Sequence, residues 1–131
     1  MNMKLLDVAK AYMELEKLAD ERLPIRISYG LDRAMEKIER VFHFYAQKEE
    51  ELLNKYKPDE RQGSILKYND PDVALKYNEE HKELDELEEE VNIKPVIIPA
   101  DTNIGVSWKG LRHLRILGII KLTGFEGEDD E

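Results

Sequence analysis

The chain has 131 residues, 41% hydrophobic and 37% charged, and carries a net charge of −9 from 20 Lys and Arg against 29 Asp and Glu. That length suits one domain, and the charge speaks against a protein that coats nucleic acid non-specifically. The lack of cysteine excludes disulfide scaffolds, thiolate zinc sites and cysteine nucleophiles.

The longest apolar stretch is the short one at 116–120, so no membrane span is expected. The first ten residues carry Lys4, Asp7 and Lys10 among apolar side chains, unlike a secretory leader. A cytoplasmic protein is the expectation.

Leu5, Val8, Tyr12, Leu15 and Ala19 recur at spacings of three and four, which predicts an amphipathic helix over about 4–21. Pro24 disfavours helical geometry at Leu23, and Ile25 and Ile27 flank Arg26, which predicts a short strand over 23–27. Ser28 then reads as the N-cap of a long helix over about 29–55. Its stripe of Leu31, Met35, Ile38, Phe42, Tyr45, Leu52 and Tyr56 is interrupted only by Glu49.

Residues 57–69 form a polar connection with Pro58 and Gly63, in which 64–68 is either a short strand or a docked segment. Asp70-Pro71 marks a helix start, an N-cap aspartate with proline at the first helical position. Val73, Tyr77, His81, Leu84, Leu87 and Val91 continue one face to about residue 90. Two long helices with matching stripes predict an antiparallel hairpin.

From 91 to 99, β-branched residues with Pro95 and Pro99 predict an edge strand, or one broken at Pro95, paired with 23–27. Residues 100–106 read as a loop. Ser107 can cap a final helix with Trp108, Leu111, Leu114, Ile116 and Leu117, ending near Gly118. The expected fold is α+β: a long antiparallel helical hairpin with an N-terminal helix, a minimal β-sheet and a short C-terminal helix. It occupies one domain over 1–123, and the acidic 124–131 tail is expected to be disordered. An all-α bundle with extended connectors is the alternative.

Charge is distributed unevenly. Residues 79–90 hold eight carboxylates against one base, Lys82, whereas 108–121 hold Lys109, Arg112, Arg115 and Lys121 with no acid. A solvated acidic face accounts for the first feature, and mimicry of a phosphate backbone, centred on Glu86, Glu89 and Glu90, is the sharper alternative. Trp108, Leu111, Arg112 and Arg115 are candidate partner-binding residues, since Trp and Arg are enriched at interface hot spots. The bland alternative places Trp108 in the core.

Signals for catalysis are absent or unspecific. Glu39 and His43 stand four apart, and His81 lies on an apolar stripe among acids, but no repeated Glu-x-x-His pair or His-Glu-x-x-His motif is present. A half-buried imidazole bonded to Glu or Tyr explains His81 without a metal. No nucleophile elbow or phosphate-binding glycine loop occurs, and Ser28, Ser64 and Ser107 have turn or capping roles. No cofactor is expected, and the chain reads as a non-enzyme.

Leu23-Pro24-Ile25-Arg26-Ile27-Ser28-Tyr29 is similar to the Leu-Pro-Ile-x-(Val/Ile)-Ser-Tyr lead-in to a charged helix. That lead-in belongs to a family of small proteins from bacteriophages and prophages of low-GC Gram-positive bacteria, whose function is unknown. The run from Tyr77 to Leu87 resembles its second helix, and Val91-Asn92-Ile93-Lys94-Pro95-Val96 resembles its strand. Ser107-Trp108-Lys109-Gly110-Leu111 lies where that family tends to have Ser-Pro-Ala-Asp-Leu. The resemblance spans about 15–117 and implies a phage context, hence the host cytoplasm, with no catalytic residues carried over.

The resulting expectation is a non-enzymatic phage-type accessory protein acting by protein–protein interaction, in assembly or on a host factor. Its partner would be a phage or host protein, and self-association is an option. The alternatives are an anti-defence inhibitor whose acidic surface blocks a basic, nucleic-acid-handling host protein, and a metal-assisted enzyme using His43 or His81. Neither direct nucleic-acid binding nor a membrane partner is expected.

Overall fold

A computed structural model describes residues 1–99, 101–102, 104–105 and 107–123, and for Trp108 the backbone alone. In chain order they form β1 (Asn2–Lys4), α1 (Leu5–Ala19), α2 (Ile25–Lys55), β2 (Glu60–Gln62), β3 (Ile65–Lys67), α3 (Pro71–Glu86), β4 (Glu88–Glu90) and β5 (Val96–Pro99). A 3-10 turn (Trp108–Leu111) then leads into α4 (Arg112–Ile116), and β6 (Ile120–Thr123) follows. The architecture is mixed α and β, with a long second helix, small sheets and a short helix near the carboxyl end, as the periodicity predicts.

Helix α1 buries Leu5, Val8, Tyr12, Leu15 and Leu18 along the expected face, while Ala19 is exposed. It packs chiefly on α2, where Tyr12 stacks on Phe42 with ring centroids 4.2 Å apart. Helix α2 begins at Ile25, so the expected strand over 23–27 does not exist. Pro24 sits at the N-cap, and its carbonyl accepts the N–H groups of Ile27 and Ser28 at 3.0 Å. Ser28 is therefore inside the helix rather than its cap. The alternation of Ile25 and Ile27 misled, because Ile25 is 87% exposed whereas Ile27 continues the stripe of Leu31, Ala34, Ile38, Val41 and Tyr45 by one turn.

Helix α3 starts as predicted: Asp70 Oδ1 accepts the Asp72 N–H at 2.9 Å, with Pro71 at the first position. It runs antiparallel to α2, since Tyr45 meets Asp85 while Glu49 meets His81. It ends at Glu86 rather than near residue 90. The last turn has no basic residue, so its acids oppose the helix dipole and one another. Residues 88–90 leave the helix and pair antiparallel with β1, placing Glu88 opposite Lys4 and Glu89 opposite Met3.

Strands β2 and β3 form a hairpin whose turn places Gly63 at φ +62, the first-position sign of a II′-type turn. Strand β5 pairs with β6, in parallel, with Val96 opposite Ile120 and Pro99 opposite Thr123. The partner expected for β5 was 23–27, which is helical. The connection from α4 to β6 is a Schellman cap: Gly118 takes φ +74, its N–H donates to the Arg115 carbonyl, and the Ile119 N–H donates to that of Leu114 at 2.9 Å. Ser107 Oγ accepts the Gly110 N–H at 3.1 Å, as a capping serine should.

The fully buried centre is built from α1, the first half of α2, β5, α4 and β6, with Leu15, Leu18, Leu31, Ile38, Ile98, Leu111, Leu114, Ile119 and Ile120. The 124–131 tail lies outside the described residues. No helix among those described is long and apolar enough to cross a membrane.

Candidate functional site

The fold disperses the predicted acidic surface. Glu86 ends α3 and is exposed, but Glu89 and Glu90 stand on β4, where Glu89 pairs with Arg40 at 3.7 Å and Glu90 with the terminal amine of Met1 at 3.2 Å. Further back, Glu80 pairs with Lys55 at 3.1 Å, and Asp85 is consumed by internal hydrogen bonds. Several acids of the run are thus spent on neighbouring elements, which weakens any continuous phosphate-like array.

The patch around α4 also divides. Leu111 is completely buried and belongs to the core, so it cannot meet a partner. Its place at the end of the 3-10 turn directs it inward beside Leu114. Arg112 is exposed and Arg115 half-buried, while the Trp108 side chain lies outside the described residues.

Each histidine has a carboxylate neighbour. On exposed α2, His43 Nε2 lies 3.8 Å from Glu39 Oε1. His113 Nδ1 meets Glu14 Oε2, whose other oxygen accepts the Leu114 N–H at 3.1 Å and thereby caps α4 from α1. His81 is gripped on both sides, with Nε2 2.9 Å from Glu49 Oε2 and Nδ1 3.1 Å from Asp85 Oδ2. Tyr45 donates to the remaining Asp85 oxygen, and burial together with that bond raises its phenolic pKa well above the usual value. Burial opposes charge on His81, but the hydrogen bonds and charges of Glu49 and Asp85 outweigh it, so its pKa is raised. Glu49 and His81 are thus the two polar breaks in the facing stripes, and they satisfy each other. Among the described residues, no group of three or more His, Asp or Glu is arranged to hold a metal ion.

The feature that sequence reading missed is a groove of about 980 Å³ between the start of α2 and residues 93–99 and 101–102. Five cations line it (Arg22, Arg26, Arg33, Lys37 and Lys94) against one acid, Asp101. None of the five forms an ion pair among the described residues, in a chain whose net charge is −9. The Arg33 guanidinium lies 6.0 Å from the centre of the Tyr29 ring, and Tyr29 and Ile97 are 63% and 57% exposed at the groove.

Local physics sharpens the anomaly. Helix α2 has no side-chain cap and no acid in its first turn, which holds Arg26 instead. Cations at the positive end of a helix dipole are disfavoured, and an anion bound there would relieve them. The spacing of Arg26, Arg33 and Lys37 puts them on one helical face, a signal hidden by reading 23–27 as a strand. Gly30 lets β5 approach, since a Cβ there would stand 3.1 Å from Val96 Cγ2.

Comparison with protein-family models, with curated proteins and with solved structures finds no match to this chain.

Proposed function

We propose that this is a non-enzymatic accessory protein that acts by binding another protein, and that its contact site is the basic groove between α2 and β5. The proposed partner presents an acidic segment with an apolar or aromatic anchor. The carrying observation is the group of five groove cations that have no ion-pair partner among the described residues. Charged side chains left uncompensated beside a helix N-terminus cost stability, and such a violation of local rules is characteristic of binding sites.

The apolar wall of Ile27, Ala34, Val96 and Ile97 favours a protein segment over a nucleic acid. The surrounding negative charge also repels a long polyanion beyond the groove itself. The phage-type setting implied by the sequence resemblance accommodates this reading, with a phage or host protein as the partner.

The test is fluorescence anisotropy with a labelled Asp/Glu-rich peptide carrying one Phe, compared with its Asn/Gln counterpart and with a labelled single-stranded oligonucleotide. Binding of the acidic peptide alone, weakened at least about tenfold by Arg26→Glu with Arg33→Glu, is expected. Both arginines are exposed, so the fold should tolerate the change. Binding indifferent to these substitutions, or preference for the oligonucleotide, overturns the proposal. Charge mimicry predicts the opposite dependence, on Glu86, Glu89 and Glu90 with a basic probe.

A further inference from the structure

We infer that the groove is an autoinhibited site, whose intramolecular occupant is the chain's own acidic segment, residues 124–131. The inference rests on the groove reading above and adds what competes with the partner.

The segment reads Gly-Phe-Glu-Gly-Glu-Asp-Asp-Glu: five carboxylates, one aromatic ring and no cation. The groove supplies the complement, five cations with an apolar wall. The chemistry asked of a foreign partner is therefore already present in the same chain.

The topology ends β6 beside the groove. Thr123, the last described residue, stands opposite Pro99 in the parallel ladder, and Pro99 lines the groove. Neighbouring strands lie about 4.8 Å apart, so β6 ends at the groove's rim. The position a Gly30 Cβ would take is 3.1 Å from Val96, which is three residues from Pro99, or about 10 Å of strand. Arg33 and Lys37 lie about one and two helical turns beyond Gly30, or about 5 and 10 Å. Eight extended residues span up to about 26 Å, enough to lay carboxylates along this row.

Strand β5 also indicates how the occupant is held. The Val96 N–H donates to the Ile119 carbonyl, so the alternation of a parallel ladder turns the backbone nitrogens of Pro95, Ile97 and Pro99 to the open edge. Only Ile97 among these three has an N–H to offer, and strand addition is poorly supported. Recognition then falls to side chains: carboxylates on the arginines and lysines, and Phe125 on the apolar wall. A short tether gives an effective concentration of about millimolar order, so modest intrinsic affinity suffices for occupancy. A partner must displace this segment, and salt must loosen it.

Two measurements on the full chain test this. The chain has no cysteine, so Gly127→Cys accepts a single nitroxide while keeping all five acids. Amide broadening at Tyr29, Arg33 and Ile97, relieved by high salt and absent from Glu60–Lys67, is expected. Broadening centred on Lys109–Lys121, or none, overturns the inference.

The second measurement compares the acidic peptide's affinity for the wild-type chain and for one carrying E126Q, E128Q, D129N, D130N and E131Q. Neutralising the segment should tighten binding at least about tenfold, because the internal competitor is removed. Equal affinity for both chains overturns the inference while leaving the groove reading intact. No binding to either chain overturns the groove reading itself.

Discussion

Tyr45 donates its phenolic hydrogen to Asp85 Oδ1 at 2.6 Å, joining the middle of α2 to the last turn of α3. The other Asp85 oxygen faces His81, and Glu49 closes the far side of that ring. This polar knot holds the antiparallel register of the two helices where their apolar stripes are interrupted. Tyr45→Phe leaves the half-buried carboxylate one donor short and should cost about 1.5–3 kcal/mol, the usual range for a hydrogen bond to a charged group. Urea unfolding of the two proteins checks it, and an unchanged midpoint would show the bond to be dispensable.

His81 makes stability depend on pH. Its pKa in the folded chain is raised above the ordinary 6.5, because the bonds and charges of Glu49 and Asp85 outweigh burial. The imidazolium thus stabilises the fold fully below the unfolded value, and that contribution is lost as pH rises through the higher folded one. The difference in urea midpoint between the wild type and His81→Gln should shrink from about pH 6 to about pH 9. A difference that grows with pH would reverse the assignment.

Glu14 is the one charged residue among the described residues that is buried, and it serves α4 from α1 by accepting the Leu114 N–H and meeting His113. Glu14→Ala orphans a buried amide and should cost about 1–3 kcal/mol. Glu14→Gln keeps an acceptor for Leu114 and the bulk of the side chain, so it should retain most of the stability. Thermal unfolding of both variants and of Glu14→Met, which keeps the bulk without the acceptor, distinguishes a hydrogen-bonding role from mere packing, for which Glu14→Met would match Glu14→Gln.

Gly30 and Val96 should be coupled. Alanine at position 30 gains up to about 1 kcal/mol in helix propensity. Its Cβ would stand 3.1 and 3.3 Å from the two Val96 methyl carbons, so rotating the valine exchanges one close contact for another. Gly30→Ala is therefore expected to destabilise the wild type by about 1 kcal/mol and to become neutral or stabilising in a Val96→Ala background. A double-mutant cycle without coupling would show that β5 can move away at no cost.

Leu111→Ala tests the reassignment of that residue from surface to core. As a fully buried leucine it should cost about 2–5 kcal/mol when truncated, whereas Arg112→Ala on the exposed side should change stability by less than about 0.5 kcal/mol. Calorimetry of the two variants reads the contrast directly.

Periodicity and capping chemistry alone determined the three main helices, the Asp70-Pro71 start, the Ser107 cap and the glycine stop at Gly118, because each depends on residues within a turn or two of one another. Even the half-buried, carboxylate-bonded state of His81 was legible from an imidazole on an acidic helix stripe. The start of α2 was misread because Ile25-Arg26-Ile27 fits a two-residue period locally, and only packing shows that Ile27 alone is buried. The departure of Glu88–Glu90 from α3 needed β1, a partner some 85 residues away in sequence, to provide Lys4 opposite Glu88. Tertiary structure likewise decided the groove: Arg26 and Arg33 are neighbours on a helix, but Lys94 and the exposed Ile97 join them only because Gly30 admits β5 against that face. Local rules act through bonded neighbours and helical turns, whereas a binding surface is made by which faces the core leaves outward.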